Sequence, residues 1–260
     1  MPIAILTGGN SGIGRATAVA FAARGYDVGI TWHEDAGNLE ELLAECRVLG
    51  VRAEAEQMDL DTAHPAELEA RAEPVGRLIE TFGGVDVFVN NAGAGHDTPF
   101  LDTDLERFVR VLNLDLVGAF ACLRTAARRM VDQGRGGRLV AVTSVHEHVP
   151  LEGSTAYVTA KHGLGGLVKS MALELAGHGI TVNSVAPGEI ATKMTGQEDQ
   201  DPAGNERPGI PAGRPGRAEE IASAITWLAE PGARYATGHS LVVDGGMLLM
   251  GAMANQLTSG

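Results

Sequence analysis

Apolar residues recur along the chain in seven short runs, separated by segments in which they fall at helical spacing. "PIAILTG", "DVGITW", "VRAEAEQMD", "GVDVFVNNAG", "GGRLVAVTS", "ITVNSVAPG" and "HSLVVDGG" read as strands. The first and fourth are apolar on both faces, the mark of a parallel strand covered by helices above and below. "GIGRATAVAFAARG" has helical spacing and ends in Gly25, a suitable C-cap. Further helices are expected over 35–49, over 63–82 with Pro74 kinking or dividing it, over 104–132 as one long helix or a bent pair, over 156–178, and in "RAEEIASAITWLAE". Strand and helix alternate throughout, which predicts an α/β fold: a doubly wound, seven-stranded parallel sheet with helices on both faces. With no internal repeat, linker or second apolar nucleus, residues 1–260 read as a single domain. A Gly/Pro/acid-rich stretch, 193–216, breaks the rhythm.

Composition narrows the function classes. Of the 260 residues 44% are hydrophobic, enough for a sizeable core. The net charge of −13 argues against nucleic acid and anionic membrane as partners, since both need a basic footprint. No apolar run reaches the roughly 18 residues of a membrane span, and the N-terminus lacks a basic region or cleavage site, so a cytoplasmic location is expected. Cys46 and Cys122 stand far apart without CxxC or CxxH spacing, which argues against a disulfide framework or zinc site. His146 and His148 have no third ligand at suitable spacing, so no metal is expected.

Two segments carry candidate chemistry. "TGGNSGIG", Thr7 to Gly14, joins the first strand to the first helix, where a doubly wound sheet binds a dinucleotide pyrophosphate. Glycines 8, 12 and 14 allow a sharp turn and close approach to phosphate. The helix starting near Gly12 offers free N–H groups and a positive dipole end. In "TSVHEHVPLEGSTAYVTAKHGL", Ser144 closes the fifth strand at its ligand-binding end. Tyr157 and Lys161, four residues apart, share one helical face. A free phenol ionises near pH 10, at about its ordinary value. A neighbouring ammonium and an oxidised nicotinamide both favour the phenolate.

Gly-x3-Gly-x-Gly behind a threonine resembles the short-chain dehydrogenase/reductase family, and the likeness extends over nearly the whole chain. "NNAG" at 90–93, with Asn91, Ala92 and Gly93, looks like the family's motif closing the fourth strand. Asp59 and Leu60 stand where the family contacts adenine, and "PGEIAT" (with Pro187, Gly188, Ile190 and Thr192) looks like its nicotinamide carboxamide segment. "VDGG" matches the family's usual ending, while "SVHE" and "ITWHED" are similar to the glucose 1-dehydrogenase and 3-oxoacyl-ACP reductase-like branch. The resemblance implies a Rossmann-type domain and hydride transfer between NAD(P)(H) and a small alcohol or carbonyl compound. The glycine turn (Thr7, Gly8, Asn10, Ser11, Gly12, Ile13, Gly14) would bind cofactor. Tyr157 would be the general acid/base, Ser144 would bind the substrate oxygen, and Lys161 would hold ribose hydroxyls.

One position departs from the pattern. Where the family has an asparagine, 25 residues beyond Asn90, this chain has Asp115; Asn113 lies close by but points elsewhere round a helix. The family residue acts largely through its main-chain carbonyl, so Asp115→Asn is expected to leave activity within about tenfold, while the added charge alters the pH profile. The second strand ends in Thr31, Trp32 and His33, with no carboxylate to select NAD through its ribose. His33 is a candidate contact for a 2′-phosphate, so NADP(H) is the expected preference, with NAD(H) also used. His146, His148 and Glu152 are candidate pocket residues for a small polar substrate, and His162 is expected to pack away from the site. The family also implies a lid at 193–216 and a homotetramer using the apolar end "VVDGGMLLMGAM". Alternatives are a catalytically silent cofactor-binding scaffold, or a lyase or isomerase on the same fold.

Overall fold

The computed structural model describes residues 1–34, 38–95, 98–197 and 201–250. One seven-stranded sheet runs through them, in the order β3-β2-β1-β4-β5-β6-β7. Its strands are Ile3–Leu6, Asp27–Trp32, Ala53–Gln57, Val87–Asn90, Gly137–Val142, Ile180–Pro187 and Ser240–Val243, numbered β1 to β7, and every pair is parallel. The order reverses between β1 and β4, so the loops after these strands diverge and leave a crevice at their C-terminal ends.

Alternation along β1 explains the layering. Ile5 joins a core with helices α4 (Glu73–Phe82), α6 (Gly118–Gln133) and α7 (Thr155–Leu175). Ala4 and Leu6 point to the other face, into a core with α1 (Gly12–Ala22), α2 (Leu39–Val48) and α8 (Ala218–Ala229).

Two helical expectations resolve in informative ways. The segment 63–82 is divided into a 3₁₀ turn, the four-residue α3 (Leu68–Arg71) and α4. Pro74 stands in the first turn of α4, where its missing N–H has no helical acceptor to lose. The segment 104–132 is a bent pair: α5 (Leu105–Leu112) and α6, joined through a π turn, Asn113–Val117, in which the Gly118 amide donates to the Asn113 carbonyl. Residues 35–37 of the expected 35–49 helix lie outside the described residues. The 193–216 stretch forms, where described, a strap with short 3₁₀ turns at Lys193–Thr195 and Pro202–Gly204. Arg207 Nε and Gln197 Nε2 both donate to Glu189 Oε1, at 2.8 and 2.7 Å, and the Ala212 amide donates to the Gly245 carbonyl.

Candidate active site

The crevice at the switch point is a cleft of about 1070 Å³. Gly8, Asn10, Ser11, Gly12 and Ile13 line it after β1. Trp32 and His33 line it after β2, Asp59 and Leu60 after β3, and Asn91, Ala92 and Gly93 after β4. Thr192 lines its far wall with Lys193 and Met194 from the strap.

The turn is built to let a ligand approach the backbone. A Cβ on Gly14 would lie 2.0 Å from the Gly8 carbonyl oxygen, so only glycine lets α1 start this close to β1. Ser11 precedes α1 without a side-chain cap, leaving the helix's first amides for a ligand. Thr7 is fully buried, and its Oγ1 accepts the Asn91 and Ala92 amides, each at 3.0 Å. Asn91 Nδ2 donates in turn to the Gly8 carbonyl at 2.9 Å, so the two conserve the shape of the turn between them. This cradle fits a dinucleotide phosphate. Pro187, Gly188 and Ile190 shape the wall behind Thr192: Ile190 is buried in the core, and a Cβ on Gly188 would meet Asp244 Cα at 2.8 Å.

At the mouth, His33 Nε2 lies 3.2 Å from Asp59 Oδ1, and Arg71 holds the other oxygen of Asp59. His33 is therefore turned toward an acid as well as the cleft. Arg110, also nearby, pairs with Asp61 and Glu106.

Lys161, Tyr157 and Asp115 gather beside the cleft. Lys161 is buried on α7, with its Nζ 5.3 Å from the centre of the Tyr157 ring. Asp115, 1% exposed, is turned inward by the π turn. Its Oδ1 accepts the Ala94 amide at 2.9 Å, and its Oδ2 lies 3.4 Å from Lys161 Nζ, an ion pair whose alignment leaves Oδ2 without a true hydrogen bond. The expectation that position 115 works through its main chain is therefore incomplete, because here the side chain carries a charge to the lysine. Burial alone would depress the Lys161 ammonium, but the charges of Asp115 and Tyr157 outweigh it and hold it above its ordinary value. Gly93 sits against the pair, where a Cβ would be 3.1 Å from Asp115 Oδ1 and 3.2 Å from Lys161 Nζ. Asn113 faces another way, its Nδ2 donating to the Thr62 carbonyl at 2.8 Å.

Ser144 follows β5, buried, with its Oγ accepting the His146 amide at 3.2 Å. That leaves the serine's own proton to donate. The His146 ring stands edge-on to Tyr157, with centroids 6.3 Å apart, and its Nδ1 donates to the Val149 carbonyl. His148 is exposed and turns to β7, its Nε2 3.0 Å from Ser240 Oγ. Glu152 is exposed on the following loop. His162 is exposed, and Nδ1 donates to the Val158 carbonyl of its own helix; it is on the surface rather than packed. The sequence reading passed over Glu147, a buried carboxyl group gripped by three hydroxyls. Its only signal was an acid three residues after Ser144, which also suits a solvated loop. Among the described residues no cluster of His, Cys, Asp and Glu is fit to hold a metal.

Fold and cradle together define a dinucleotide-binding oxidoreductase of the doubly wound class. Residues 8–248 match a family model described as enoyl-(acyl carrier protein) reductase. The chain is 47% identical to the uncharacterized oxidoreductase YohF of Escherichia coli (strain K12), over 97% of this chain and 98% of the other. It is 39% identical to an L-rhamnose 1-dehydrogenase (NAD(P)(+)) of Sphingomonas sp. (strain SKA58), covering 94% of each. The crystal structure of acetoin dehydrogenase YohF from Salmonella typhimurium superposes with a TM-score of 0.88 at 47% identity, covering 95% of this chain and 96% of that one. The chain belongs to the short-chain dehydrogenase/reductase family, in its glucose dehydrogenase and 3-oxoacyl-ACP reductase-like branch. It is an NAD(P)-dependent oxidoreductase, which sets aside the silent scaffold and the isomerase.

Proposed function

We propose that this enzyme interconverts a small polar alcohol, or a sugar hemiacetal, and its carbonyl form, with Tyr157 as general acid/base. The observation that carries this reading is the buried Lys161 ammonium 5.3 Å from the Tyr157 ring. An ammonium held there stabilises negative charge that develops on the Tyr157 oxygen while the tyrosine takes the hydroxyl proton in oxidation and returns it in reduction. The Ser144 proton, left over once its Oγ accepts from His146, is donated to the substrate oxygen and stabilises charge as it forms. The glycine turn, Asn91 to Gly93, Thr192 and Lys161 would hold the cofactor, with Asp59 and Leu60 toward its adenine. When bound, the nicotinamide supplies or accepts the hydride. Tyr157→Phe is expected to abolish turnover while cofactor binding persists; turnover within tenfold of the parent overturns the assignment.

Small polar substrates are supported by the names of two relatives, acetoin dehydrogenase and L-rhamnose 1-dehydrogenase, and by His146 beside Tyr157. Hydroxyketones, diols and aldoses are the panel to assay. NADP(H) is the proposed preference, with NAD(H) also accepted, because no carboxylate stands at positions 31–33. A hundredfold higher kcat/KM with NAD overturns that preference. Residues 251–253 of the apolar C-terminal end lie outside the described residues. The four half-buried residues of β7 and exposed Leu249 support its use in a homotetramer. Two buried free thiols suit a reducing compartment, and the cytoplasm is the proposed location.

A further inference from the structure

Glu147 presents a problem that the reaction does not explain. Its side chain is buried, and among the described residues no cation pairs with it. Three hydroxyls converge on one of its oxygens: Oε2 accepts Thr143 Oγ1 at 2.7 Å, Ser240 Oγ at 3.0 Å and Ser184 Oγ at 3.2 Å. The other oxygen, Oε1, has no hydrogen-bond partner among the described residues. A buried carboxyl group with one oxygen unsatisfied costs free energy that an apolar residue at this place would not.

What surrounds Glu147 suggests what the cost secures. Its main-chain amide donates to the Ser144 carbonyl at 2.9 Å, and its side chain holds Thr143, the residue before Ser144. The turn that aims Ser144 Oγ is thus closed from both sides by one residue. Ser184 on β6 and Ser240 on β7 tie that residue to the sheet. On its remaining side lies α7, where a Cβ on Gly165 would be 2.3 Å from Oε1. Gly165 is on the helix that carries Tyr157 and Lys161. Glu147 therefore fills the space between the serine turn and the tyrosine helix.

We propose that Glu147 is a positioning residue that sets the Ser144 hydroxyl against Tyr157. This rests on the roles given above to Ser144 and Tyr157. Because Ser240 donates its proton to Glu147, its oxygen accepts from His148, whose Nε2 carries the proton. The network thus runs from the serine turn through β7 to an exposed imidazole.

Glu147→Gln keeps the volume but puts an amide where the hydroxyls converge or where Oε1 has no acceptor. It is expected to lower kcat/KM for the carbonyl substrate at least tenfold, with the cofactor Kd within twofold of the parent and an unchanged circular dichroism spectrum. Ser144→Ala, measured in parallel, separates the two layers of inference. If Glu147 acts through Ser144, adding Glu147→Gln to Ser144→Ala brings no further loss. Losses that multiply in the double variant, or a Glu147→Gln rate within threefold of the parent, overturn the proposal. A full rate in Ser144→Ala overturns the serine's role instead. Should Glu147→Gln fail to fold, Ser240→Ala removes one donor and leaves the carboxyl group in place. It is expected to lower kcat/KM at least threefold, again only when Ser144 is present; an unchanged rate counts against the proposal.

Discussion

Asp115→Asn removes the only charge that faces Lys161 from the π turn, and its consequences follow from the geometry of the pair. The asparagine still accepts the Ala94 amide that Oδ1 accepts now, so the local backbone keeps its tie. What it loses is the carboxylate 3.4 Å from a buried ammonium. Stripping the partner from a buried ion pair costs about 3–5 kcal/mol. In the Asn variant, proton loss from Lys161 relieves part of this, so about 3 kcal/mol is the working figure. For a chain of this size the melting temperature should fall roughly 6–12 °C. The pH dependence has a definite sign. Asp115 helps to raise Lys161 above its ordinary value, whereas burial pulls it down. Without Asp115, burial prevails, and Lys161 loses its proton at lower pH. An opposite charge at this distance favours the protonated amine, so without it the alkaline limb of kcat/KM should move to lower pH. Rates at the respective optima should stay within about tenfold. The assays are thermal unfolding of the protein with cofactor and a pH profile of alcohol oxidation. An unmoved alkaline limb together with a melting temperature within about 2 °C of the parent refutes the argument, and complete loss of activity at every pH refutes the expected tolerance.

Other consequences are more local. Gly14→Ala puts a Cβ 2.0 Å from the Gly8 carbonyl oxygen, so cofactor affinity should drop by at least a hundredfold; binding titrated by fluorescence within tenfold of the parent counts against the cradle. Burial pushes the Cys46 thiol up to about 11 and Cys122 up to about 12. Both should stay unreactive toward a thiol reagent at pH 8 until the protein unfolds, and rapid labelling of either would show that its site opens. Glu220, bonded to Arg214 and to the Arg217 amide, has its carboxyl held down at about 2. Because that value is depressed, its stabilisation is present above the ordinary carboxylate range and is lost as pH falls toward 2. The group is largely solvent-exposed, so the effect is modest. Glu220→Gln should lose protease resistance in the strap at pH 6, with the difference narrowing as the pH is lowered and gone below about pH 2; a difference that does not narrow refutes this.

The primary sequence by itself determined the sheet, the glycine turn and the Tyr157–Lys161 pair, because each rests on local rules. Period-two apolar runs alternating with helical spacing leave few topologies, and four residues along a helix always share a face. Asp115 was legible as a departure by counting, and its charge was expected near Lys161, but the contact itself was not readable. That contact needs α5 and α6 to join through a π turn and α7 to pack against it, some 46 residues further along the chain. Thr7 was read as a ligand contact because it precedes the glycines, yet only the pairing of β1 with β4 turns its hydroxyl toward the Asn91 and Ala92 amides. His148 was read with His146 for the same reason of nearness, and the turn between them sends it to β7 instead. Glu147 was invisible because two of its partners, Ser184 and Ser240, come from β6 and β7, far along the chain from Thr143 and the serine turn. Spacing along a chain reports what one element presents to one side. Which buried polar groups meet across elements depends on long-range packing, and a single sequence carries no local signal for it.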